Sequence, residues 1–135
     1  MTDIDFYLNV DEITKVIPKL SDKVMRLQRK ALILTGDDEV DRKLASLIWR
    51  LSETSFIPVE HGPTSSRHSA IHFGAPEDVK HHDILINLLD TIPINFSSFS
   101  RVIEIVQNNE SKKLTARQKF AWYRDRGYKI RTIRL

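Results

Sequence analysis

The sequence has no cysteine. This excludes a disulfide framework and any thiolate metal site, and it fits a reducing compartment. No apolar run approaches the ~18 residues that span a bilayer. The opening stretch MTDIDFYLNVDE is acidic, whereas a secretory leader opens on basic residues, so a soluble, cytoplasmic protein with no membrane partner is expected. Glycine is scarce, four in 135 residues, and no G-K-[ST] or dinucleotide fingerprint occurs. There is no G-x-S-x-G elbow either. Acidic residues are nearly missing from one end. Residues 111–135 hold nine Lys or Arg against Asp125 alone, a net +8, which leaves −5 on the first 110 residues and +3 overall. Such polarity speaks of partners rather than fold, and the basic end should attract an anion.

What is present reads as one domain, residues 1–135, long enough to bury a core unaided. DFYLNV (5–10) is a candidate strand. Ile13, Val16, Ile17, Leu20, Val24 and Leu27 follow at helical spacing, with Pro18 calling for a kink or a late helix start. ALILTG (31–36) has the look of a buried parallel strand. Asp37 is placed to cap a helix striped with Val40, Leu44, Leu47, Ile48 and Leu51. The stretch 52–69 reads mostly as loop. Strands are expected over 83–89 and 100–106, then a helix from a Ser111 cap through Arg126 with Gly127 as its stop, and a final strand over 128–135. This order predicts an α/β three-layer domain with a mainly parallel central sheet flanked by helices. Its topology is like that of nucleotide-binding folds, without their phosphate loop.

Little in this pattern announces catalysis. The turn LTGDDEVDRK stands where a phosphate loop would be, but places two aspartates in the way of phosphate. The histidines at 61, 68, 72, 81 and 82 have no acidic or histidine partners at ligand spacing, so no metal or other cofactor is expected. A phosphohydrolase or nucleotide enzyme on this scaffold would lack its acid–base groups.

Two surfaces look built for contact. On the helix from Asp37 to Leu51, Trp49 falls opposite the apolar stripe, and Phe56 follows in a proline-bearing loop. The pair forms either one exposed anchor patch or, if the loop folds back, an internal contact. In TARQKFAWYRDRGYK, the residues Lys113, Arg117, Phe120 and Arg124 share one helical stripe, with the ring between two guanidiniums. That stripe suits a ligand with carboxylates and an apolar side chain, because the guanidinium fork grips carboxylates at two points. It also suits single-stranded nucleic acid, or it is a solvated basic face with Phe120 and Tyr123 packed on the sheet.

The chain resembles the chi subunits of bacterial DNA polymerase III. The matching stretches are FYL, ALIL with its acidic turn, Leu47 and Trp49 with Ser55, Phe56 and Pro58, then HDILINL, and AR-x-x-F-x-x-YR-x-x-G-Y ending at Tyr128. The resemblance implies a non-enzymatic accessory protein with no cofactor. It implies two partners: the psi subunit of the clamp loader, facing Trp49 and Phe56, and the acidic C-terminal tail of single-stranded DNA-binding protein. The implied tail site is Val106, Arg117, Phe120, Arg124 and Thr132, to which the stripe adds Lys113. DNA contact would then be indirect, and a helicase is a further candidate partner for the Trp49 patch. The sequence departs from the family in having Ala121 where a lysine can follow the aromatic, with Lys113 or Lys129 positioned to compensate.

Overall fold

The computed structural model describes residues 1–51, 59–61, 70–74 and 83–135. Seven strands and three helices are defined: β1 Asp3–Val10, α1 Ile13–Arg26, β2 Ala31–Leu34, α2 Asp38–Leu51, β3 Val59–His61, β4 Ile71–Phe73, β5 Ile84–Asn87, β6 Arg101–Gln107, α3 Glu110–Asp125 and β7 Ile130–Arg134. The strands make one sheet in the order β3-β4-β2-β5-β6-β1-β7, and every neighbouring pair is parallel. Strands buried on both faces need continuous rather than alternating apolar sequence, which is why ALIL and ILIN are buried along their whole length.

Alternate residues of each strand feed two cores. Tyr7, Ile33, Ile86 and Ile105 pack under α1 and α2. Phe6, Leu34, Leu85 and Val106 pack under α3. The β5–β6 connection has no α-helix. A short 3-10 turn, Phe96–Ser98, fills that place with Phe96 and Phe99.

The expected α/β three-layer architecture is therefore present, with corrections in detail. β3 lies inside the stretch read as loop, and β4 is a strand of its own, so the sheet has two more strands than the sequence pattern suggested. Three-residue strands are too short to show periodicity. α1 starts at Ile13 rather than late, and Pro18 lies buried inside it. The missing proline N–H removes one helical bond, which packing against the sheet outweighs. The cap of α3 is Asn109, not Ser111: its side-chain oxygen accepts from the Lys112 N–H at 2.9 Å. At the other end Gly127 adopts φ 81°, and the N–H groups of Gly127 and Tyr128 close on the carbonyls of Arg124 and Tyr123.

Candidate functional site

The β2–α2 turn resolves the phosphate-loop question. Asp37 Oδ1 accepts from the N–H groups of Glu39 and Val40 at 2.9 and 3.4 Å. The helix terminus that would cradle a phosphate is thus filled by the chain's own carboxylate. Gly36 takes φ 78°, and a Cβ there would stand 2.9 Å from Leu89. His72 is buried in β4, while His68, His81 and His82 lie outside the described residues.

The basic helix divides its charges by depth. Lys119 points inward and donates to Glu104 Oε1 at 2.9 Å and to the Leu89 carbonyl. Glu104, 1% exposed, also accepts from the Tyr123 hydroxyl at 2.9 Å and from Asn87 Nδ2 at 3.1 Å. Burial pushes the Glu104 carboxyl up, and Lys119, Asn87 and Tyr123 oppose that shift. Burial and then Glu104 raise the Tyr123 phenol. This network pins α3 to β5 and β6. The sequence offered one signal for it, a lone glutamate inside the apolar run RVIEIV. Two further cations are tied to acids elsewhere: Lys112 to Asp90 at 2.9 Å, and Arg131 to Asp5 at 3.0 Å.

The remaining cations face outward. Arg117 is exposed and, among the described residues, makes no ion pair or hydrogen bond. Arg124 reaches only its exposed neighbour Asp125 at 3.2 Å, a contact of little weight. Lys113 lies 3.9 Å from Glu110. Between the two arginines Phe120 is half-buried, its ring centroid 5.6 Å from that of Phe6. Thr132 is exposed on β7, directly opposite Phe6 in register. Val106 is 5% exposed and belongs to the core cluster beneath α3, against which Phe120 packs. Tyr123 is sealed, and Trp122 carries the Arg126 guanidinium 3.8 Å above its ring. On the opposite face of the sheet, Trp49 is 55% exposed on α2, whereas Phe56 lies outside the described residues.

Together these features define a class: a parallel α/β domain that fills its own phosphate-loop position and concentrates its net positive charge in one helix and one edge strand. The particular family follows from comparison with known proteins. Residues 1–131 match the family described as DNA polymerase III chi subunit, HolC. The chain is 30% identical to the DNA polymerase III subunit chi of Pseudomonas aeruginosa, the alignment covering 100% of this chain and 98% of that protein. It is 22% identical to the subunit chi of Haemophilus influenzae (94% and 93% covered) and 23% to that of Escherichia coli K12 (89% and 84%). The chain belongs to the DNA polymerase III chi subunit family.

Proposed function

We propose that this chain is a non-catalytic replisome adaptor in the cytoplasm. One side captures the acidic C-terminal tail of single-stranded DNA-binding protein; the other joins the clamp loader through the psi subunit. The observation that carries the tail reading is Arg117, an exposed guanidinium without an internal acid, placed with Arg124 on either side of the half-buried Phe120 ring. Arginines already engaged by the fold would have to break native pairs before gripping a ligand. Arg117 breaks none, and Arg124 gives up one solvent-exposed contact. The tail's carboxylates fit the guanidinium forks, and its apolar end fits the ring and the shelf of Thr132 beside it. Lys113 adds attraction from the same stripe. Trp49, together with Phe56, forms the docking point for psi, and a helicase could meet the same patch.

The rival reading, direct binding of single-stranded DNA, needs open ring faces on which bases stack. Phe120 leans on Phe6, and Trp122 is covered by Arg126, which weighs against it. The two separate in one experiment. A labelled peptide with a run of aspartates ahead of a C-terminal phenylalanine, and a single-stranded oligonucleotide, are each titrated with the protein and with Arg117→Ala. Peptide affinity should fall by roughly 10- to 100-fold on loss of one charge-assisted pair, with an unchanged circular dichroism spectrum. An unchanged peptide isotherm would remove Arg117 from the site.

A further inference from the structure

β7 ends the sheet: it pairs with β1 on one side, and none of the described strands lies on the other. The direction of its backbone groups can be worked out. Ile4 N–H donates to the Lys129 carbonyl at 3.0 Å, and Leu135 N–H to the Leu8 carbonyl at 3.2 Å. Odd-numbered residues of the segment therefore turn their backbone groups toward β1. The N–H and C=O groups of Ile130, Thr132 and Arg134 turn outward, since alternate residues of a parallel strand face opposite neighbours. Among the described residues these outward groups have no hydrogen-bond partner.

The side chains around this edge are cationic. Lys129, Arg131 and Arg134 are exposed, and Lys129 and Arg134 form no ion pair among the described residues. Ile4 and Phe6, opposite Ile130 and Thr132, belong to the core beneath α3, so Thr132 and Arg134 face that same side. The open edge and the Arg117–Phe120–Arg124 stripe thus border one shelf.

We infer that an acidic, extended peptide adds to this edge as an eighth strand, its alternate backbone groups pairing with Ile130, Thr132 and Arg134. This deepens the tail-binding proposal and rests on it. Three features single out the occupant. A ladder of alternating N–H and C=O groups is matched by a peptide backbone and not by a nucleic acid. The unpaired cations at 129 and 134 favour carboxylates on the added strand. The same cations oppose a second copy of β7, which would set like charges against like. Five residues at ~3.3 Å each give an edge of roughly 17 Å, enough for a short tail to lie along. Main-chain bonds would supply affinity, and the stripe on α3 would select the side chains.

The test leaves the protein intact first. The aspartate-rich peptide with C-terminal phenylalanine is prepared unmodified and with N-methyl groups on alternate amides, in each of the two phases. Methylation in one phase should weaken binding about tenfold or more, while the other phase binds nearly as the parent. The complementary protein variants are Thr132→Pro and Thr132→Val. Thr132→Pro deletes an outward N–H without touching the β1 ladder, and it should lower peptide affinity about tenfold with an unchanged circular dichroism spectrum. Thr132→Val changes the same side chain but keeps the amide, so the part of the loss that strand addition explains is the further drop of Thr132→Pro below Thr132→Val. If the unmodified peptide binds in an Arg117-dependent manner but neither methylation phase matters, strand addition is wrong while tail capture stands. If the unmodified peptide does not bind, both fall.

Discussion

Replacing Lys119 with methionine keeps most of the side-chain volume and removes one charge from the most buried ion pair of the described structure. Glu104 would keep its Tyr123 and Asn87 donors but lose its cation, at a position 1% exposed to solvent. Breaking a buried pair on one side typically destabilises by ~3–5 kcal/mol. An upper limit follows from proton chemistry. The carboxyl can neutralise instead, and protonating a group of ordinary pKa ~4.3 at pH 7 takes about 3.7 kcal/mol. A loss near 3 kcal/mol is therefore expected. With ~2.1 cal/mol/K per residue, the unfolding entropy of this chain is roughly 0.28 kcal/mol/K, so the midpoint should drop by about 10 °C.

The loss should also depend on pH. Removing the ammonium raises the Glu104 carboxyl further above its unfolded value, and burial already holds it up. A carboxyl raised in the folded state holds a proton that the unfolded chain releases, so folded stability falls as pH climbs. The gap between variant and parent should be smallest at acid pH, where both folded forms hold the proton, and should widen toward neutral pH as the parent's carboxyl ionises before the variant's. Urea unfolding followed by circular dichroism at several pH values measures it. Glu104→Gln added to Lys119→Met should recover most of the neutral-pH loss, because the amide oxygen still accepts from Tyr123 without a buried charge. A loss below about 1 kcal/mol at pH 7 that is flat with pH would refute the reasoning: the pair would then be hydrated.

Two perturbations address other parts of the molecule. Trp49→Ala, at an exposed position, should leave thermal stability and peptide affinity close to the parent while weakening co-purification with psi by tenfold or more, as loss of an anchor of ~2 kcal/mol implies. Loss of both binding activities together would mean that Trp49 supports the fold. Gly127→Ala, at φ 81° with open space around the added Cβ, should destabilise by about 1 kcal/mol through backbone strain alone, read from the urea midpoint.

The sequence by itself determined the layers. Continuous apolar runs such as ALIL have the look of strands covered on both faces, and the three- and four-residue spacing of Ile17, Leu20 and Val24 marks one helical face; the structure has both. Asp37 and Gly127 marked helix ends through local backbone chemistry, and both act there. Periodicity also placed Arg117, Phe120 and Arg124 on one stripe, since that relation lies within a single helix. Relations between distant segments were beyond it. No local pattern distinguishes Lys119, drawn inward by Glu104, from Arg117, which stays in solvent, because the difference lies in which strand passes beneath the helix. Nor does YKIRTIRL reveal that its even-numbered backbone groups face outward from the end of a sheet. Strand order fixes that, and strand order arises from which hydrophobic faces find each other across the whole chain.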